Sequence, residues 1–68
     1  MMITISVNGK SLKINSGFNI LQLLNQLNSP QDGIAVAVNN SIILKELWGT
    51  RLLASDDKVL IIQATQGG

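Results

Sequence analysis

Asn8-Gly9 stands between two runs whose side chains alternate, Ile3-Thr4-Ile5-Ser6-Val7 before it and Lys10-Ser11-Leu12-Lys13-Ile14 after it. An Asn-Gly pair admits the positive φ values of a two-residue turn, so the runs fold back on each other as a β-hairpin. Pairing Val7 with Lys10 sets the register. Ile5 then faces Leu12 and Ile3 faces Ile14, which stacks the aliphatic side chains on one face and sends Ser6, Ser11, Thr4 and Lys13 to the other.

The period changes over residues 18–28, where Ile20, Leu23, Leu24 and Leu27 follow the i, i+3, i+4, i+7 spacing of one helical face. Asn19 is placed to cap this helix, Gln22 holds the capping-box position, and Phe18 with Leu23 forms the hydrophobic-staple pair. Asn28-Ser29-Pro30 ends it. Its apolar stripe needs a partner, and the hairpin's aliphatic face is the one available. The large-small alternation of residues 34–38, IAVAV, predicts a strand beneath the helix. Asn39-Asn40 tolerates positive φ and turns the chain into a short strand at Ile42-Ile43. Residues 44–48 read as a loop or one helical turn, residues 49–54 as a connection, and Ser55-Asp56-Asp57-Lys58 as a polar turn. The near-continuous apolar run 59–64 is of the kind that lies centrally in a sheet. The order ββαββ is the α+β plan of the β-grasp, or ubiquitin-like, fold: a mixed sheet of four to five strands with one main helix packed on one face. That topology places the last strand parallel to the first.

A chain of 68 residues makes one domain, and a core of this size supplies only about 3–5 kcal/mol net. With no cysteine and no histidine, disulfides and the usual zinc ligands are excluded, and Asp32, Glu46, Asp56 and Asp57 are the candidate oxygen ligands. No bound metal or cofactor is expected. A hydrophobic content of 46% against 13% charged residues argues against disorder. The net charge of +1 is spread over scattered lysines and one arginine, so nucleic acid is not an expected partner. The start, MMITISVNGK, lacks the apolar core of a signal peptide, and no run approaches a membrane span. A cytoplasmic location and no membrane partner follow as expectations.

Catalysis by the chain itself is not expected. General acid-base work calls on histidine or a tuned carboxylate, and the serines and threonines have no base beside them. Asp56-Asp57 reads as a pair of solvated turn residues, Lys45-Glu46 as a surface pair, and Trp48 as a packing residue, or else as a contact for a partner. One helix covers one side of a sheet, so Leu60, Ile62, Ala35 and Ala37 are candidates for apolar area on the opposite side, where an uncovered patch would mark a docking surface.

The chain ends Ala64-Thr65-Gln66-Gly67-Gly68. Residues 1–64 are expected to form the domain and residues 65–68 a slender tail with a reach of about 13–14 Å. Its glycines let the backbone approach another protein closely. Gly67 and Gly68 offer no side chain, so any chemistry there belongs to the Gly68 carboxylate. That group is an anion near neutrality and a poor electrophile until activated. Adenylation by ATP would supply a leaving group, and attack by sulfur would give a thiocarboxylate. In a chain without cysteine, a carried sulfur has no side-chain persulfide to sit on.

Ala35-Val36-Ala37-Val38-Asn39, Ile42-Ile43, Trp48, Thr50, Leu52, Asp57, Val59 and the closing Ala64-Thr65-Gln66-Gly67-Gly68, taken with the Asn8-Gly9 hairpin and the leucine-rich helix, resemble the ThiS family of sulfur carriers in thiamine biosynthesis. The resemblance spans essentially the whole chain. It implies a β-grasp carrier, not an enzyme, whose Gly68 carboxylate is adenylated with ATP by a ubiquitin-activating-like adenylyltransferase. A sulfur donor protein then supplies the thiocarboxylate sulfur, which passes to thiazole synthase. Thr65, Gln66 and Gly67 would enter the partners' active sites. The chain departs from the family pattern at Asn39-Asn40, where the family often has Asn-Gly, at Leu44-Lys45, where it has Pro-Arg, and at Asp56, where it has Gly. These departures bear on turn geometry and partner fit. The small subunit of molybdopterin synthase is similar in fold and ending, although it usually carries a proline-containing stretch before its tail. A ubiquitin-like protein modifier, or an inert β-grasp interaction module, would also be built on this plan.

Overall fold

The computed structural model describes residues 1–63. Five strands form one sheet: β1 (Met2–Val7), β2 (Lys10–Asn15), β3 (Ile34–Val38), β4 (Ser41–Ile43) and β5 (Lys58–Gln63), with helix α1 (Ile20–Gln26) between β2 and β3. Their order across the sheet is β2-β1-β5-β3-β4. β5 is therefore central, parallel to β1 and antiparallel to β3. The expected strand 59–64 begins one residue earlier, at Lys58, and Ala64 lies outside the described residues.

The hairpin has the register that the Asn-Gly turn dictates, with Val7 opposite Lys10, Ile5 opposite Leu12 and Ile3 opposite Ile14. Asn8 and Gly9 both have positive φ, as do Asn39 and Asn40 in the β3–β4 turn and Asp56 before β5. Asn40 and Asp56 hold this left-handed backbone without glycine, as asparagine and aspartate tolerate it.

Helix α1 opens on a capping box. The Asn19 side chain accepts from the Gln22 N–H at 2.8 Å and the Asn19 N–H donates to Gln22 Oε1 at 2.8 Å. A further exposed N–H of the first turn, that of Leu21, is taken up by the Trp48 carbonyl at 3.2 Å, which ties the helix start to the β4–β5 connection. The other end closes on Asn28 at φ 54. The Ser29 N–H donates to the Leu24 carbonyl and the Asn28 N–H to that of Asn25, the two bonds of a Schellman closure. Asn28 thus ends the helix through its left-handed backbone, ahead of Pro30.

Ile20, Leu23 and Leu24 from α1 are completely buried against Ile5, Ile14, Val36, Val38 and Val59 from the sheet, with Trp48 and Leu53 closing the side. Each such side chain contributes about 1.5–3 kcal/mol, comparable to the whole net stability of a domain this small. Trp48 is a core residue, 1% exposed, and its Nε1 donates to the Ile43 carbonyl at 2.9 Å. The short 3₁₀ turn Lys45–Leu47 before it fills the segment expected to be a loop or a single helical turn.

Ala37 lies on the outer face, as expected, with its methyl group buried beside its cross-strand neighbours Leu60 and Ile42. Three local expectations need correction. Leu27 follows the helical spacing but is 37% exposed, because it is the C-cap residue and lies at the open end of the sheet. Asp57 is buried and hydrogen-bonded, unlike its exposed neighbour Asp56. Lys45 pairs with Asp32 at 2.7 Å rather than with the adjacent Glu46.

Candidate functional site

The residues expected to carry the chemistry, Thr65, Gln66, Gly67 and Gly68, lie outside the described residues, as does Ala64. What the structure defines is the platform that leads to them. β5 is the one strand with neighbours on both sides that ends at Gln63, and β3 accompanies it to that point through Ile34 opposite Gln63. On the other side the parallel ladder with β1 reaches Val7 opposite Val59. The Asn8 N–H then donates to the Val59 carbonyl at 2.9 Å. One residue pair further along, the Asn8 side chain takes up Ile61: its Oδ1 accepts from the Ile61 N–H at 2.8 Å, and its Nδ2 is 3.4 Å from the Ile61 carbonyl.

The start of β5 is gripped in the same manner from the opposite edge. The Asn39 N–H donates to the Lys58 carbonyl at 2.8 Å, and the Lys58 N–H donates to Asn39 Oδ1 at 2.9 Å. Asn39 Nδ2 in turn donates to Asp57. Both hairpin turns therefore place an asparagine side chain on the central strand. Sequence reasoning identified Asn8 and Asn39 only as turn formers, and missed their side-chain partners because the signal for positive φ says nothing about where the amide reaches.

Two surfaces flank the end of β5. On the helix side an open groove of about 610 Å³ is lined by Val7, Asn8, Leu12, Leu27, Ile61 and Gln63 among others. On the outer face Leu60, Ile62 and Ile42 are 44%, 51% and 64% exposed. The sheet register sets them side by side, with Ala35 opposite Ile62 and with Ala37 between Leu60 and Ile42. They form a contiguous apolar patch beside the strand that leads to the glycines, the kind of surface that marks a docking site.

Among the described residues no cluster of three or more aspartates and glutamates is placed to hold a metal ion, and no helix is long and apolar enough to cross a membrane. Asp32 and Lys45 form an exposed ion pair. The hydrogen bond from Lys45, and then its charge, hold the Asp32 carboxyl below the ordinary aspartate range.

Residues 4–68 match the family model described as the ThiS family. The chain is 31% identical over 61 residues to the sulfur carrier protein ThiS of Escherichia coli K12, an alignment covering 90% of this chain and 92% of that protein. In fold it is similar to the crystal structure of the thiamine biosynthesis protein ThiS from Geobacter metallireducens, with a TM-score of 0.81 at 23% identity over 97% of this chain and all of that one. The solution structure of a thiamine biosynthesis protein from the same organism gives a TM-score of 0.76 at 22% identity, covering 97% of this chain and 88% of that one.

Proposed function

The chain belongs to the ThiS family and is a sulfur carrier, and on that basis we propose that the group it loads is the carboxylate of Gly68, in the service of thiazole formation for thiamine. A ubiquitin-activating-like adenylyltransferase consumes ATP to join this carboxylate to AMP, with release of pyrophosphate. The outer sulfur of a persulfide on a donor protein attacks the acyl carbon and expels AMP. A second thiol then attacks the donor's sulfur in the resulting acyl disulfide, forming a disulfide with it and releasing the thiocarboxylate. Thiazole synthase takes the sulfur, so the chain acts as a co-substrate and binds no cofactor of its own.

The observation that supports this reading most directly is a coincidence of two features. The family match runs through residue 68, and the strand that leads there is the central one, anchored from both edges. Residues 65–68 form the tail that enters the partner's active site, and the domain behind it docks through the apolar patch of Leu60, Ile62 and Ile42. A cytoplasmic location fits a carrier that needs ATP and cytosolic enzymes.

Reconstitution with the activating enzyme, ATP, a sulfur donor and thiazole synthase tests the proposal. Deleting Gly68, or appending one residue after it, abolishes sulfur transfer while the circular dichroism spectrum and melting curve stay those of the parent chain. Transfer retained by either variant contradicts it, and delivery to the large subunit of molybdopterin synthase in place of thiazole synthase reassigns the pathway.

A further inference from the structure

Backbone pairing between β1 and β5 stops where β1 turns away. Val7 is the last residue of β1 opposite β5, and the Asn8 N–H makes the last main-chain bond, to the Val59 carbonyl. β5 nevertheless continues for four residues beyond Val59, to Gln63. The next main-chain groups on that edge, the N–H and carbonyl of Ile61, face the carboxamide of Asn8 at 2.8 and 3.4 Å. A carboxamide presents the same donor and acceptor as a peptide unit, so the Asn8 side chain supplies one extra rung that the turning backbone cannot.

The turn itself does not call for this amide. Glycine and aspartate serve at the first position of such a turn, whereas asparagine alone among these combines tolerance of φ 50 with both a donor and an acceptor. We infer that Asn8 is a positioning residue: its amide holds the last stretch of β5 against the hairpin, and so sets where and in which direction residues 64–68 leave the domain. The inference rests on the carrier reading for its purpose. In the activation step a carboxylate oxygen of Gly68 forms a bond to the α-phosphorus of ATP, the bond from that phosphorus to the pyrophosphate oxygen breaks, and pyrophosphate departs. Reacting atoms have to be held close and aligned for such a displacement. A root held over residues 61–63 only on its β3 edge gives the terminal carboxylate more positions to sample, most of them unreactive.

Asn8→Gly removes the amide and keeps the positive φ, while Asn8→Asp keeps an acceptor for the Ile61 N–H and removes the donor. Two readouts are taken on each variant: amide hydrogen exchange at Ile61 compared with Val36, and pyrophosphate release with the activating enzyme as carrier concentration is varied. Asn8→Gly is expected to speed Ile61 exchange by about 5- to 10-fold with Val36 unchanged. Its kcat falls on the order of 10-fold while KM stays within about 2-fold, and Asn8→Asp recovers part of both effects. Unchanged Ile61 exchange overturns the clamp. Faster exchange with an unchanged kcat overturns the positioning role. A parent chain that releases no pyrophosphate overturns the carrier reading and the positioning role with it, and the exchange data then report on the clamp alone.

Discussion

The Asn39 side chain donates to the Asp57 carboxylate at 2.9 Å, and the second carboxylate oxygen accepts from the Ala54 N–H at 2.8 Å. Asp57 is 7% exposed, while the donors belong to exposed residues. Removing the acceptor forfeits two hydrogen bonds to a charged group, which costs about 1.5–3 kcal/mol. Asp57→Ala is therefore expected to lower the melting temperature by several degrees, at about 4–8 °C per kcal/mol for a domain this size. Asp57→Ala combined with Asn39→Ala should cost less than the sum of the single changes, because the first already breaks the shared bond.

Asp56, next to it, has φ 69 and an exposed side chain that makes no hydrogen bond among the described residues, while its N–H donates to the Thr4 carbonyl at 2.8 Å. Glycine keeps that bond and relieves the left-handed strain. Asp56→Gly is expected to leave stability unchanged or raise it by about 0.5–1 kcal/mol, whereas Asp56→Val destabilises by about 1–2 kcal/mol. Chemical denaturation of the two variants checks the sign.

Trp48 is the single tryptophan, and it is buried with its Nε1 on the Ile43 carbonyl. Its fluorescence in the folded protein is expected to be blue-shifted, moving to the red on unfolding. Trp48→Phe fills most of the volume but removes the Nε1 donor to that carbonyl and should cost about 1–2 kcal/mol. A red-shifted native emission would contradict the core assignment.

Asp32 and Lys45 test the electrostatics at the surface. Lys45 holds the Asp32 carboxyl below its ordinary value through a hydrogen bond first and its charge second. A carboxyl with a lowered folded-state pKa contributes stability above its unfolded-state pKa, and that contribution is lost as the pH falls through the folded-state value. Both side chains are largely exposed, 96% and 59%, so the effect on melting is small and screened by salt. The carbon-13 titration of the Asp32 carboxyl shows it directly: its midpoint should rise on Lys45→Ala and, to a smaller extent, in concentrated salt.

Leu60, Ile62 and Ile42 are exposed on the outer face, so polar substitution there removes little from the core. Leu60→Lys and Ile62→Lys are expected to change stability by no more than about 0.5 kcal/mol while weakening capture by the activating enzyme, seen as a raised KM for the carrier. A loss of folding, or an unchanged KM, would show that the patch has another role.

Much of this architecture is written in local pattern. The alternation around Asn8-Gly9 carries the hairpin register, Asn19 and Gln22 carry the helix start, and the unbroken apolar run from Val59 carries the central place of β5. These features depend on residues within one turn or one strand of each other, where periodicity and capping chemistry act. The remainder depends on partners far apart in the chain. Asn8 meets Ile61, Asn39 meets Asp57, and Lys45 meets Asp32, and no spacing rule connects those positions. The exposure of Leu27 has a similar origin: the helical repeat sets its direction on α1, but where the sheet ends beneath it is a tertiary fact. At the candidate site, the strand that leads to the tail could be read from the sequence, whereas the side chain that holds that strand could not.

Intact-mass analysis of the carrier after incubation with its activating enzyme, ATP and sulfur donor tests most directly whether the C-terminal carboxylate is the loaded group. The expected product is one species in which a single oxygen is replaced by sulfur, with fragmentation placing the change at Gly68 and no such species from the chain lacking Gly68. Sulfur at any other position, adducts on lysine, or a chain that stays unmodified while its partners are active would contradict it.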